Sequence, residues 1–445
     1  MDPASLLPAI GAILLALGTA ALLPQTRTVQ IASPSRYSTI DGLRGYLAFA
    51  VFLSHSSIWY FYLHFGRWDV PPSNIYTHLG QSSVTLFFMI TGFLFWSKLL
   101  DGRVRPIDWS RLYLSRLFRL VPLYVVSVAC LVVASLFTAG FQLRESLSSF
   151  GLHTIQWLAF TIPGIAPVNG FTDTLPLAGA AWSLPYEWLF YAFLPIGALC
   201  LRTGPPTPWV IFSIAGVVTL TTVMQEVRVP MLYAFGGGIF AASLVRVRVV
   251  RTTLAKEAWG CVSIVCIGMT TWLFPTAYSV PALLLLAGGF TIIACGNSIY
   301  GILEWSPSLV LSEMGYSLYL LHSAVLFVAY RLVLGEAAST LSPFEHWSVV
   351  LCLVPFLVVL CFATFHLIEK PAMTAAPRCH AWLNSTSHRS KALSVWQGGR
   401  FCKGWSLNRK PSGANRRPTR SLVPLVTFRT GVPVFKVPEY KLRSD

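Results

Sequence analysis

Charge is scarce in this sequence. Only 11% of its 445 residues are Asp, Glu, Lys or Arg, while 54% are hydrophobic. Because a soluble chain carries roughly 25% charged residues, the composition excludes an ordinary soluble protein. Several apolar runs are long enough for a helix to cross a hydrocarbon core of ~30 Å, and the alternating segments of a membrane barrel are missing. The sequence therefore predicts an all-α, polytopic transmembrane helical bundle.

Cysteine pairs and metal-ligand spacings are missing too. The nine cysteines are scattered and include no C-x-x-C pair. Most lie in or beside apolar runs, where cysteine acts as a small hydrophobic residue. The histidines show no spacing typical of a metal site. We therefore expect neither a disulfide framework nor a metal cofactor.

Basic charge is concentrated at the end of the chain. Residues 378–445 hold 14 Lys or Arg and 2 Asp or Glu, whereas the preceding 377 residues hold 19 and 15. The stretch "NRKPSGANRRPTR" is rich in Arg, Pro, Ser and Gly, a composition typical of disorder. We expect residues 377–445 to form a disordered cytoplasmic tail, and we expect no nucleic-acid partner, because basic flanks of membrane helices usually mark the cytoplasmic side.

Eleven apolar segments are predicted as helices. The first follows "MDPAS" with no Lys or Arg before it, so the positive region of a signal peptide is missing and we expect an uncleaved helix. The prediction divides the chain into an extra N-terminal helix and loop (1–38), a membrane domain (39–376) and the tail (377–445). The segments are 5–23, 45–62, 80–97, 119–138, 182–200, 209–225, 230–245, 258–274, 280–295, 314–333 and 347–367.

The basic loops predict the orientation. If all eleven helices cross the membrane, segments 98–119 and 246–256 lie on the same side as the tail. The loops on that side contain 14 Lys or Arg, not counting the tail. The other side has Arg67, Arg144 and Arg228, with Arg331 near a helix end. By the positive-inside rule, we expect the N-terminus outside and the C-terminus in the cytoplasm.

The stretch "IDGLRGYLAFAVFLSH", residues 40–55, places a cation and a titratable ring in one membrane helix. Eleven helical residues rise about 16 Å and make close to three turns, so Arg44 and His55 share a face at different depths. Ionisable groups at such depth normally face a protein interior or a wet cavity. A hydrogen-bonding histidine that only packs helices together remains the alternative.

Other polar side chains are expected in the apolar segments. Glu187 lies one or two turns into a helix entered from outside, and His322 lies near mid-depth on a helix with Tyr316 and Tyr319. Glu369 leaves the last apolar segment on the Arg44 side. Three arginines before a span fit either an ordinary snorkelling flank or an anion site; they are Arg111, Arg116 and Arg119. Together these groups fit transfer of a group from an anionic donor, with a histidine as general base. They equally fit a proton-coupled transporter of a small solute or acyl group.

Six motifs in order carry a resemblance to a known family. They are "IDGLRGYLAFAVFLSH", "LFFMITGFLF" at 86–95, "RLYLSRLFRLVPLYV" at 111–125, "WSLPYEWLFYAFLP" at 182–195, "GYSLYLLH" at 315–322 and "HLIEKP" at 366–371. In this set the chain resembles the integral-membrane acyltransferase type 3 family of O-acyltransferases. Two departures are Thr91, where that family usually has Ser, and the Pro185–Tyr186 pair before Glu187.

The resemblance implies a ten-helix core, preceded here by one N-terminal helix. It implies transfer of an acyl group, often acetyl, from cytoplasmic acyl-CoA to a hydroxyl, with His55 and Arg44 as the essential pair and Glu187 as the matching carboxylate. A covalent acyl-histidine remains an alternative to direct transfer. We take Arg111, Arg116 and Arg119 as candidate contacts for the coenzyme. Candidates for lining the substrate cavity are Asp41, Thr91, Ser183, Tyr316, Tyr319, His322 and Glu369.

The expected function is therefore O-acylation of a carbohydrate in a bacterial inner membrane. We expect acetyl-CoA or another acyl-CoA as donor, and an exopolysaccharide, another surface glycan or its lipid-linked precursor as acceptor. A small hydroxyl compound is a further possible acceptor. The expected partners are the lipid bilayer and proteins of polysaccharide synthesis.

Overall fold

The computed structural model describes residues 3–24 and 37–401, with side chains up to residue 385. Within those ranges it contains helices and no strand. The chain divides into two units, Met1–Asn384 and Ser385–Asp445. The helices are α1 Leu6–Leu22, α2 Ser38–Phe65, α3 Asn74–Asp101, α4 Trp109–Thr138, α5 Leu147–Leu158, α6 Thr174–Ala178, α7 Leu184–Cys200, α8 Thr207–Val223, α9 Val229–Leu244, α10 Arg248–Leu254, α11 Ala258–Leu273, α12 Val280–Ala294, α13 Ser306–Glu313, α14 Gly315–Phe327, α15 Pro343–Thr364 and α16 Lys370–Phe401.

All eleven predicted apolar segments are helical, which confirms the helical bundle. Five stretches are long and apolar enough to cross a membrane: α2, α3, α4, α14 with its extension to Val333, and Pro343–Ser385. The pair α9 and α10 passes the same test together but is bent by 106°. The helices α1, α8, α11 and α12 are shorter apolar helices. The chain is therefore a multi-pass membrane protein.

Short elements connect the long helices. Those that the sequence did not predict include α5, α6, α10 and α13, which are too short or too polar to produce a spanning pattern. Turns of 3-10 helix occur at Val168–Gly170, Gly179–Ser183, Ile302–Glu304 and Gly335–Thr340. Wider π turns extend α14 at Val328–Val333 and α15 at Phe365–Glu369.

A helix crosses the boundary expected between the membrane domain and the tail. Helix α16 begins at Lys370 and continues through residue 377 to Phe401. The domain boundary itself stays a prediction. Near this point His380 contacts Asp108, just before α4, at 3.0 Å. The remaining predicted tail, 402–445, lies outside the described residues.

Ion pairs join the segments between helices at both ends of the bundle. At the end that carries Arg44, Arg246 pairs with Asp101 at 2.6 Å. The basic segments 98–119 and 246–256 therefore lie together, as predicted. At the opposite end, Arg331 pairs with Asp173 at 2.8 Å. We call these the Arg44 end and the Trp68 end, after a tryptophan in the loop that follows α2.

Helix α2 packs very closely against the segment that contains α13. A Cβ atom added to Gly42 would lie 1.7 Å from the carbonyl oxygen of Leu303, and one added to Gly45 would lie 2.8 Å from the amide nitrogen of Ser312. Only glycine permits these approaches, because any larger residue would overlap the neighbouring backbone. The close contact fixes the helix that carries both Arg44 and His55.

Candidate active site

A cationic cavity opens near the Arg44 end. It is surrounded by α2, α3, α4, α7 and α14. Three arginines from two helices, Arg44, Arg116 and Arg119, line it opposite one carboxylate, Glu187. Arg44 pairs with Asp41 one turn earlier on α2, at 3.4 Å. Because three guanidinium groups face one carboxylate across the space, the cavity favours an anionic ligand.

Glu187 is held by its own helix. The hydroxyl of Tyr191, four residues later on α7, donates to Glu187 Oε2 at 3.1 Å. The carboxylate also interacts electrostatically with Arg116, Arg119 and Arg44. Residues four apart on a helix share a face, so the sequence offered a signal for Tyr191 that our prediction did not use.

Hydroxyl groups line the rest of the cationic cavity. Ser183 and Tyr319 hydrogen-bond through their hydroxyl oxygens at 2.8 Å. Tyr316 donates to the carbonyl of Leu120 at 2.9 Å. Both tyrosines, Ser183 and Thr91 belong to the lining. The structure thus brings four predicted cavity residues together with Arg44 and Glu187.

The structure separates Arg111 from the other two predicted anion contacts. Arg116 and Arg119 line the cavity, whereas Arg111 is exposed in the first turn of α4. The Asp108 side chain caps that helix by accepting from the amide of Arg111 at 2.9 Å. Burial raises the pKa of the Asp108 carboxyl, but hydrogen bonds from Arg111 and Ser110 and the nearby His380 hold it below its usual range.

Two further predicted residues lie beside the cavities rather than on their walls. The backbone carbonyl of Asp41 accepts a hydrogen bond from Ser312, and the Glu369 carboxylate accepts one from Ser317. Glu369 is fully buried in the π turn after α15. Neither residue lines a cavity; the Asp41 carboxylate pairs with Arg44, and the Glu369 carboxylate lies near Arg119.

A second cavity, which we call the histidine cavity, opens near the Trp68 end. His55 lines it. Aromatic side chains form much of the wall, with amide and charged groups between them. The aromatic residues are Trp68, Trp182, Tyr186, Tyr278 and Tyr319, and the polar ones include Gln81, Gln225, Asp69, Glu226 and Arg228.

The predicted depths of Arg44 and His55 fit an unbroken α2, but the two side chains line different cavities. Arg44 and His55 therefore share a helix without sharing a cavity. Of the residues that line either cavity, Val84 on α3 and Tyr319 on α14 line both. We call the place where the two cavities adjoin, which these two residues line, the junction.

His55 contacts a second histidine. Its Nδ1 lies 2.7 Å from Nε2 of His322 on α14, and Ser323 Oγ lies 3.2 Å from the same Nε2. His322 is fully buried, and its own Nδ1 lies 3.0 Å from the carbonyl oxygen of Leu318. The sequence predicted each histidine near mid-depth but gave no sign that they touch.

This chain of contacts assigns the protons. A carbonyl oxygen can only accept, so Nδ1 of His322 must carry a hydrogen, and in the neutral ring Nε2 is then an acceptor. Nδ1 of His55 therefore donates to His322. The remaining nitrogen of His55, Nε2, keeps its lone pair and can act as a base. The pair has the form of a base oriented by a second group.

Comparison with known proteins agrees with this geometry. A family model described as an acyltransferase domain matches residues 37–366. The chain belongs to this acyltransferase family. It is therefore a membrane enzyme, an O-acyltransferase. The matched range contains both cavities and both histidines of the pair.

The chain is similar to two curated proteins over most of the length of each. The chain is 23% identical to nodulation protein 10 of Rhizobium leguminosarum bv. viciae over 368 residues, which cover 77% of this chain and 94% of the relative. It is 25% identical to the exopolysaccharide production protein ExoZ of Rhizobium meliloti (strain 1021) over 263 residues, 57% of this chain and 78% of the relative. No solved structure matches.

The described residues contain no group of three or more His, Cys, Asp or Glu side chains that could hold a metal ion.

Proposed function

We propose that this enzyme transfers an acyl group from acetyl-CoA or another acyl-CoA to a hydroxyl of a carbohydrate. The observation that carries the proposal is the position of His55. The histidine lines the histidine cavity, and its basic nitrogen, Nε2, is not the one that contacts His322. The histidine cavity adjoins the cationic cavity at Val84 and Tyr319. Donor and acceptor can thus approach the junction from opposite sides.

The cationic cavity supports an elongated anionic donor. Arg44, Arg116 and Arg119 can hold phosphate groups through charge-assisted hydrogen bonds. Eleven residues of unbroken helix separate Arg44 from His55 by about 16 Å along the axis. Arg44 therefore binds the charged part of the donor, whereas the reactive thioester must extend to the junction. Acyl-CoA has phosphates and a thioester at opposite ends of one long molecule.

The histidine pair supports direct transfer. Nε2 of His55 takes the proton from the acceptor hydroxyl, and the hydroxyl oxygen attacks the thioester carbonyl carbon. The carbon–sulfur bond then breaks, and the departing thiolate receives the proton from His55. His322 stabilises the imidazolium that forms in between, because its Nε2 accepts from His55 Nδ1 throughout. Tyr319 is placed at the junction to donate to the developing oxyanion.

The histidine cavity supports a carbohydrate acceptor. Trp68 and Trp182 offer flat apolar faces to sugar rings, while Gln81 and Gln225 offer both donors and acceptors to sugar hydroxyls. One relative is named exopolysaccharide production protein ExoZ, and that name supports a surface glycan or its lipid-linked precursor as the acceptor. Proteins that synthesise the polysaccharide are then the expected partners.

The proposed orientation places the Arg44 end in the cytoplasm of a bacterial inner membrane. The basic segments 98–119 and 246–256 lie at that end, which agrees with the positive-inside rule. The N-terminus is then outside and the C-terminus inside. Acyl-CoA reaches the cationic cavity from the cytoplasm, and the glycan reaches the histidine cavity from outside.

The proposal is tested with purified protein in detergent. Acetyl-CoA and polysaccharide from a strain that lacks the gene are mixed, and the released thiol and the new sugar esters are measured. His55→Asn, which removes the base but keeps a polar side chain, should lower transfer by roughly 10²–10⁴-fold. A folded parent protein that moves a solute across vesicles and forms no ester would instead be a transporter.

A further inference from the structure

One side of the junction is formed by Val84 of α3. Along α3, Gln81 lines only the histidine cavity, Phe87 lines only the cationic cavity, and Val84 between them lines both. Val84 is only 5% exposed. Its β-branched side chain has one strongly preferred rotamer in a helix. It cannot turn away from the junction without strain.

The opposite wall is also fixed. The hydroxyl of Tyr319 is bonded to Ser183 at 2.8 Å, and its ring packs edge-on against Phe87 with centroids 5.8 Å apart. Because both the hydroxyl and the ring of Tyr319 are held by these contacts, the side chain cannot move aside for a larger acyl group. Val84 and Tyr319, the two residues that line both cavities, are therefore fixed borders of the space at the junction.

The reaction puts the acyl chain into this space. The thioester carbonyl carbon must lie within reach of a hydroxyl held at His55, while the rest of the donor occupies the cationic cavity. That carbon therefore sits at the junction, and the chain attached to it must lie beside Val84. Any carbon added to the acyl group needs room that the two walls do not leave.

We infer that Val84 determines which acyl groups this enzyme transfers, and that it restricts the donor to short chains such as acetyl. This inference rests on the proposed function and names the specificity of the same site. A pocket of fixed size discriminates a single methylene by roughly 10–200-fold. Enlarging the space should therefore change the preference among donors more than it changes acetyl transfer itself.

The test uses donors in direct competition. Equal concentrations of acetyl-, propionyl- and butyryl-CoA are mixed with the purified protein and polysaccharide from a strain that lacks the gene. Mass spectrometry of the sugar esters then gives the ratio of propionyl and butyryl to acetyl. Val84→Ala should raise that ratio about tenfold or more. Val84→Ile, which adds one methylene, should lower it.

Val128→Ala is the matched control. It makes the same chemical change at a valine on α4 that is 3% exposed and lines neither cavity. Its ester ratio should equal that of the parent. If both Val84 variants keep the parent ratio while still forming acetyl esters, the inference is wrong and the proposed function stands. If the folded parent protein forms no ester from any donor, the proposed function itself fails.

Discussion

At the residue scale, the chemistry depends on which nitrogen of His55 keeps its lone pair. The carbonyl of Leu318 fixes the proton on His322, and His322 in turn fixes the proton on His55. The hydrogen bond from His322 to the backbone of Leu318 thus determines, through the His322 ring, which nitrogen of His55 is basic. His322 is a positioning residue, since it touches His55 and lies behind the cavity wall.

This relay predicts different effects for two substitutions of His322. His322→Gln would keep a side-chain carbonyl that can accept from Nδ1 of His55, whereas His322→Leu would remove the acceptor. We expect His322→Leu to approach the roughly 10²–10⁴-fold loss expected for losing the base itself, and His322→Gln to retain clearly more activity. Transfer rates measured across pH test this, because a base released from His322 should show an altered pH profile. Equal loss in both variants with an unchanged profile would contradict the relay.

Arg44 should not tolerate lysine. The guanidinium is planar and can bind a phosphate with two parallel hydrogen bonds, which a point charge cannot reproduce. We expect Arg44→Lys to raise the KM for acetyl-CoA more than it lowers kcat, because Arg44 lies too far along α2 to touch the reacting carbonyl. Arg111→Lys is the matched control, since that arginine is exposed outside the cavity. A loss confined to kcat would show that Arg44 acts at the carbonyl instead.

The spacing of Arg44 and His55 could be predicted from the sequence, because both lie on one helix. The contact between His55 and His322 could not, because it joins residues 267 positions apart. Spacing also failed to separate Arg111 from its two neighbours on α4. Which face of a helix points inward depends on the surrounding helices, and their positions are not local information.

At the scale of elements, apolar runs were sufficient to predict the long helices and insufficient for the short ones. Helix α13 is only eight residues long and begins with Ser and Pro. It nevertheless contacts α2 at Gly45, and the 3-10 turn before it contacts α2 at Gly42. The placement of Arg44 and His55 therefore depends on short elements that hydropathy does not reveal. Tyr319, which lines both cavities, likewise hydrogen-bonds to Ser183, a residue 136 positions away in the sequence.

This contact predicts that α2 cannot accept larger side chains at its glycines. The Cβ of Gly45→Ala would lie 2.8 Å from the amide nitrogen of Ser312 and 2.9 Å from the Cβ of Leu311. Overpacking of this kind typically costs about 1–3 kcal/mol. We expect a lower unfolding temperature in detergent and reduced transfer. Gly18→Ala in α1 is the control, because nothing lies within 4 Å of its added Cβ. Unchanged stability in Gly45→Ala would mean that the two helices are further apart.

At the scale of the whole molecule, two cavities that meet inside a membrane protein suit a reaction whose substrates are in different compartments. The donor cavity is cationic and lies at the end with the basic loops. The acceptor cavity is aromatic and lies at the other end, beside Trp68. Only the junction needs to be shared, so neither substrate has to cross the membrane.

The arrangement makes a final prediction about sidedness. In a variant without native cysteines, a membrane-impermeant thiol reagent should label Leu147→Cys in intact cells, because that side chain is 74% exposed in the segment expected outside. The same reagent should label Val104→Cys, 85% exposed, and Val249→Cys, 73% exposed, only after the cells are permeabilised. Both valines lie beside basic residues, which the positive-inside rule places in the cytoplasm. Labelling of Val104→Cys in intact cells would put the cationic cavity outside, where a cytoplasmic acyl-CoA could not reach it.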